Sequence, residues 1–334
     1  MPGESRTRRV VAIVVAAAIV FGGGVVVGRL TADHATTAPA LRFLPVEIDS
    51  AFVVQAQGDV VASSSPPPCL GLRCLAGTGL VTRHVTNTTL GLAIPADEVT
   101  WVGVQEAGTP AAVLSTDLTS ADVTGCGSGV MIMVSWPNGD GTRNVRWVPT
   151  RRDDALGRLT GEGTMHETDA NARITQGQLV CDRKGAPTAT PAITGTGSQS
   201  VDFSVPTGTA SSAWRFDPAC RPTSPQQCLR TAQWTGTASG TATGDVIGVD
   251  TAVLDGATPV GGTVAAALLD GSVTGCGTGS MLIGRWPTGP TTSEWIVLPH
   301  SGRGQLANIA GGGSAQTTAG GTRYRGSVVC PPTR

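Results

Sequence analysis

Past residue 40, apolar positions come in short runs bounded by glycine and proline, with the period of strands rather than helices. Val130-Met-Ile-Met-Val-Ser-Trp136 and Ser280-Met-Leu-Ile-Gly-Arg-Trp286 are two such runs, each preceded by glycines and followed by Pro-x-Gly. A second run returns after each, Asn144-Val-Arg-Trp-Val148 and Glu294-Trp-Ile-Val-Leu298. The segments between, Pro137-Asn-Gly-Asp-Gly141 and Pro287-Thr-Gly-Pro290, carry hairpin chemistry, because Gly and Asn accept positive φ and Pro presets its neighbour. Gly177-Gln-Leu-Val-Cys181 and Gly326-Ser-Val-Val-Cys330 read as further extended runs. Outside the N-terminus no stretch holds apolar residues at helical spacing over three turns. Ala111 to Leu118 and Val264 to Asp270 come nearest, and both are short. The pattern predicts an all-β chain, with a sandwich or small barrel as its unit.

The unit occurs twice. Val123-Thr-Gly-Cys-Gly-Ser-Gly129 recurs as Val273-Thr-Gly-Cys-Gly-Thr-Gly279, and each copy leads into Trp-Pro (Trp136-Pro137, Trp286-Pro287). Matching positions lie about 150 residues apart, the size of a domain rather than of a solenoid repeat. The expected organisation is a tip at 1–9, an apolar segment at 10–28, a polar linker at 29–40, a first β domain at 41–183, a Pro- and Thr-rich connector at 184–197 and a second β domain at 198–334.

The cysteines follow the duplication: Cys69, Cys74, Cys126 and Cys181, then Cys220, Cys228, Cys276 and Cys330. An even count, divided equally, suits structural disulfides in an oxidising compartment. Each set of four allows three pairings. A close pair and a distant pair with similar spacing in both copies are expected: Cys69 with Cys74, Cys126 with Cys181, Cys220 with Cys228, and Cys276 with Cys330. Aromatic residues are few, so Trp101, Trp136, Trp147, Trp214, Trp234, Trp286 and Trp295 are expected to fill the cores.

The N-terminus departs from this pattern. Arg6, Arg8 and Arg9 precede Val10 to Val27, eighteen residues without a charge, closed by Arg29. At about 1.5 Å per residue the run spans roughly 27 Å, close to the hydrocarbon thickness of a bilayer. A secretory signal would have a shorter apolar region and a nearby small-residue cleavage site. The first A-x-A beyond the run, Ala38-Pro39-Ala40, lies well past its end and has Pro at its centre. The expectation is one uncleaved membrane helix, its basic end in the cytoplasm and both β domains outside. Within it, Gly24 and Gly28 form a small-x-x-x-small face of the kind that pairs helices, which would make the protein a homodimer in the membrane.

Composition narrows the partners. Without Arg6, Arg8, Arg9, Arg29 and Glu4, nineteen basic and twenty-three acidic residues remain, a net charge near −4, which argues against nucleic acid. Arg dominates over a single lysine, Lys184, and Ala, Gly, Thr and Val abound. That usage belongs to a GC-rich bacterial coding sequence.

Catalytic patterns are absent or incomplete. Gly125-Cys-Gly-Ser-Gly129 opens a strand, not the helix that a phosphate loop requires, and Ser128 has Cys126 where a nucleophile elbow needs glycine. With no C-x-x-C and only His34, His84, His166 and His300, no zinc motif can be drawn, and no metal or cofactor is expected. The acids Asp153, Asp154, Glu162 and Glu167 read as solvated loop residues, and Asp245, Asp250 and Asp255 as turn or edge residues. Leu298-Pro-His-Ser-Gly302 approaches a wall-sorting signal but lacks the hydrophobic tail. Gly77-Thr-Gly-Leu-Val-Thr-Arg-His84-Val-Thr-Asn, with Asp117 downstream, faintly resembles the histidine segment of trypsin-like secreted proteases. That resemblance covers about ten residues of one copy, and no G-x-S-G-G segment follows to supply a nucleophile. The sequence therefore points to a membrane-anchored, non-catalytic binding or scaffold protein of the bacterial cell envelope, contacting an envelope protein or a wall polymer. The alternative is an envelope hydrolase, or a degenerate trypsin-like protease, whose site is dispersed in sequence.

Overall fold

The structure is a computed structural model that describes residues 50–56, 69–70, 73–87, 92–93, 98–106, 112–123, 127–148, 156, 159–169, 172–181, 198–207, 209–214, 228–255 and 258–330. The predicted membrane segment, including Gly24 and Gly28, lies outside these residues, as do Cys126 and Cys220. Among the described residues no helix is long and apolar enough to cross a membrane.

The described chain is all-β. The first copy contributes β1 (Ser50–Ala56), β2 (Cys69–Leu70), β3 (Arg73–Asn87), β4 (Leu92–Ala93), β5 (Glu98–Glu106), β6 (Ala112–Val123), β7 (Gly127–Pro137), β8 (Thr142–Val148), β9 (Leu159–Asp169) and β10 (Ala172–Cys181). The second contributes β11 (Ser198–Pro206), β12 (Thr209–Trp214), β13 (Cys228–Gly240), β14 (Ala242–Asp255), β15 (Thr258–Val273), β16 (Gly277–Pro287), β17 (Thr292–Val297), β18 (Arg303–Gly304), β19 (Ala310–Thr318) and β20 (Gly321–Val329).

In the second copy the strands run β11-β20-β19-β17-β16-β15-β14-β13, and β11 also pairs with β13, so eight antiparallel strands close into an up-and-down barrel. Closure removes the exposed edges that an open sheet would present. The first copy's sheet follows the same order, β1-β10-β9-β8-β7-β6-β5-β3, with β1 pairing both β10 and β3. The barrel form of the expected unit is thus the observed one, and Ala112 to Leu118 and Val264 to Asp270 are strand, inside β6 and β15.

Burial explains why the β15 segment lacks a clear strand alternation. On β11, Val201, Phe203 and Val205 are buried and alternate with more accessible residues, the ordinary signature of a wall with solvent outside. On β15, Val264 to Leu269 is buried without interruption. Val264, Ala266 and Leu268 point into the barrel, whereas Ala265, Ala267 and Leu269 join a second core shared with Leu114, Leu118, Ile132 and Val134 of the first copy. Both faces are covered, so the strand's period vanishes from the sequence.

The shared core is where the copies meet, wall against wall. Trp136 and Trp286 hold matching positions and stack on each other, with ring centroids 5.0 Å apart and planes 13° from parallel. The contact thus joins a residue to its own counterpart in the other copy. Around it Thr116 and Thr263 share a buried hydroxyl hydrogen bond of 2.6 Å. Arg146 reaches Glu294 (2.9 Å), which is 8 % exposed and also accepts the Trp286 indole N–H at 2.9 Å. His300 of the second copy lies against Gly139 of the first copy's hairpin turn, where a Cβ would come within 2.3 Å of the imidazole and φ is +87°. Glycine is the residue that fits there.

The second barrel is closed at one end and open at the other. The segment between β17 and β19 folds Leu306 (0 % exposed) and Ile309 into the interior beside Cys276 and Val328. At this end Cys276 bonds to Cys330. The Val273 to Gly277 motif is a tight turn there, with the Cys276 N–H donating to Val273 O and positive φ at Gly275 and Gly277. Further inside, Phe203 stacks on Tyr324 and both meet Trp295 edge to face. The opposite end is rimmed by the β14–β15, β16–β17 and β19–β20 turns.

Candidate functional site

That open end gathers polar side chains on inward-facing positions. Trp234 comes from β13, Asp250 from β14, Arg285 from β16, Thr317 from β19, and Thr322 and Tyr324 from β20. Asp250 and Arg285 are 35 positions apart in sequence, yet β14, β15 and β16 are neighbours and bring both to one height in the barrel. Together with Thr317 they line both of two pockets, of about 250 and 280 Å³, each a lobe of the space at this end. Pro259, Pro287 and Pro290 wall one lobe, and Val205, Trp234 and Tyr324 the other.

Trp234 is held across Gly248, its register partner on β14, where any Cβ would stand 2.2 Å from the indole. Its N–H then donates to Asp250 Oδ1 at 2.7 Å. Burial pushes the Asp250 carboxyl above the usual carboxylate range, against the pull of the Trp234 hydrogen bond and the Arg285 charge. Burial likewise raises the Tyr324 phenol, with the Arg285 charge opposing and Asp250 adding to the rise. Arg285 donates from Nη1 to Thr317 Oγ1 (2.9 Å) and Thr322 Oγ1 (3.2 Å), and these threonines contact each other at 3.2 Å. Its Nε is buried with no hydrogen-bond partner. Asp250 and Arg285 line the same cavity without pairing to each other.

The first copy handles its interior differently. Arg143 of β8 donates to Ser135 Oγ (3.1 Å), Ser115 Oγ (3.1 Å), Ala112 O (3.0 Å) and Ser135 O (3.0 Å), and so is fully engaged within its own wall. By register, Ser135 matches Arg285 and Arg143 matches Ser293. The two copies thus place one arginine and one serine on the same hairpin in opposite order. At the place of Asp250 the first copy has Gly103.

Among the residues singled out by sequence, Cys276 and Cys330 are bonded as expected. Cys69 and Cys74 are register partners on β2 and β3. Cys181 ends β10 opposite Leu159, and Cys228 opens β13 opposite Leu254. His84 on β3 registers with Gln55 and Glu98, whereas Asp117 on β6 registers with Trp101 and Met133, with β5 between the two strands. His166 and Glu162 are exposed on β9. Among the described residues no group of His, Cys, Asp and Glu could hold a metal ion. Asp250 is not the turn or edge residue expected; it lies inside β14 with its side chain directed into the barrel. Arg285 carried no sequence signal, although it interrupts an otherwise apolar strand at an inward position. No protein-family model, curated protein or solved structure matches the chain.

Chemically, the site offers the Asp250 carboxyl, the Arg285 guanidinium, several threonine and serine hydroxyls, the Tyr324 phenol and aromatic walls, with no histidine or second acid among its lining residues.

Proposed function

We propose that this chain is a non-catalytic binding protein of the bacterial cell envelope, anchored by its N-terminal apolar helix and carrying its binding site in the mouth of the second barrel. One observation carries the reading: Arg285 and Asp250 stand unpaired with each other in a cavity walled by aromatic and proline side chains, the composition of a ligand pocket in a barrel mouth. The anchor and the external location rest on Val10 to Val27 and the preceding arginines. The duplication supports a scaffold role for the first barrel, which buttresses the second through the shared core while its own arginine is consumed internally. An envelope protein or wall polymer is the partner to which such a pocket would present or from which it would take its ligand.

The reading is tested by thermal-shift screening of the full chain in detergent against a chemically diverse library of small polar solutes. Stabilisation by at least one compound is expected, and it should be lost in Arg285→Gln. A library in which no compound shifts the transition, or shifts that survive Arg285→Gln unchanged, would remove the mouth as a binding site.

A further inference from the structure

Resting on the binding reading above, we propose that the second barrel takes a small zwitterion of the amino-acid class, its carboxylate on Arg285 and its ammonium on Asp250. The mouth of the barrel holds two side chains of opposite charge, Asp250 and Arg285. Each is drawn away from bulk water, and a charge so placed needs a partner. In this barrel neither hydrogen-bonds the other, although the Arg285 charge is felt at Asp250: Asp250 receives the Trp234 N–H, and Arg285 spends Nη1 on two threonines. The guanidinium Nε has no hydrogen-bond partner but is closed off from solvent, so gripping a carboxylate through two parallel hydrogen bonds on that side requires the Arg285 side chain to turn toward the ligand.

A ligand with only a negative charge would satisfy Arg285 and bring a like charge toward Asp250. One with only a positive charge would meet the reverse penalty. A molecule carrying both within a few bonds satisfies the two together, and the site rejects single-charged analogues by leaving one buried group unpaired. The remaining walls set the rest of the preference. Trp234, Tyr324 and Val205 on one side, and Pro287 and Pro290 on the other, suit an apolar side chain. The first barrel lacks the arrangement, with Gly103 where the carboxylate would be and Arg143 already saturated, so one ligand per chain is expected.

The experiment is isothermal titration of the full chain in detergent with L-phenylalanine, phenethylamine and 3-phenylpropanoate, repeated with Arg285→Gln and Asp250→Asn. The zwitterion should bind with a stoichiometry of one, and removing either of its charges should weaken binding at least tenfold. In Arg285→Gln the preference for phenylalanine over phenethylamine should collapse. In Asp250→Asn the preference over phenylpropanoate should collapse. Equal binding of phenylpropanoate and phenylalanine to the unaltered protein would overturn the zwitterion assignment, without any variant needing to fold. So would absence of binding by all three when a compound of the diverse library does bind, an outcome that leaves the binding reading standing. Absence of every ligand in both experiments would overturn the two together.

Discussion

Asp250 shows how a barrel interior changes an ordinary side chain. Its carboxyl is raised in the folded protein by burial, so folding favours the protonated form. Below the ordinary carboxylate pKa, both folded and unfolded chains hold that proton and the contribution to stability is complete. As pH rises from about 4 toward the raised pKa, the unfolded chain ionises first and stability falls. Asp250→Asn removes this slope. Denaturant midpoints measured between pH 4 and pH 7 should therefore fall less steeply for the variant than for the parent, and equal slopes would show that Asp250 is not held in this environment. At the same scale, Gly248 is the reason Trp234 can reach Asp250. Gly248→Ala drives a methyl into the indole and should red-shift tryptophan emission as Trp234 is displaced, an effect that a residue merely lining a wall would not produce.

Single elements divide the second barrel into a braced end and a working end. The Cys276 to Cys330 bond, with a sequence separation of 54, ties the β15–β16 turn to the end of β20 at the closed end. On the chain-entropy model such a loop contributes roughly 4 kcal/mol. Replacing both cysteines by alanine should lower the denaturant midpoint accordingly while leaving ligand affinity at the open end within about twofold; a large loss of affinity with the fold intact would show that the two ends are not separable. Legibility followed the same division. The hairpins, the Gly-Cys-Gly turn and this disulfide were readable because each repeats in sequence with local turn chemistry. The β15 face was not, because Val264 to Leu269 is apolar on both sides and alternation carries no information where both sides are buried. Asp250 and Arg285 were unreadable as a site for another reason. They differ from their counterparts in the first copy, so the duplication that revealed the fold concealed the one place where the copies diverge.

For the molecule as a whole, the duplication behaves as a dimer built into one chain. The wall carrying Ile247, Val249, Ala265, Ala267, Leu282 and Leu298 is covered by the first copy. A fragment comprising 198–334 would expose it as a contiguous apolar patch, and such patches drive association. That fragment should elute as a dimer or larger species in size exclusion, and a well-behaved monomer would show that the shared core is dispensable. Within the interface, Arg146→Ala leaves Glu294 buried with the Trp286 N–H as its partner. The expected cost is roughly 3 kcal/mol, much of it recovered when Glu294→Gln is added, since an unpaired buried charge is worse than none. Chemical unfolding of the single and double variants checks both halves of that statement.

The stacked pair of Trp136 and Trp286 between the copies has an optical consequence. Two indoles with centroids 5.0 Å apart and nearly parallel share their electronic excitation, so the near-ultraviolet circular dichroism of the protein should contain a couplet belonging to neither ring alone. Loss of either Trp136 or Trp286 abolishes it, and so does any separation of the barrels. The chain thus carries an intrinsic spectroscopic gauge of whether its two halves are docked, readable without a label.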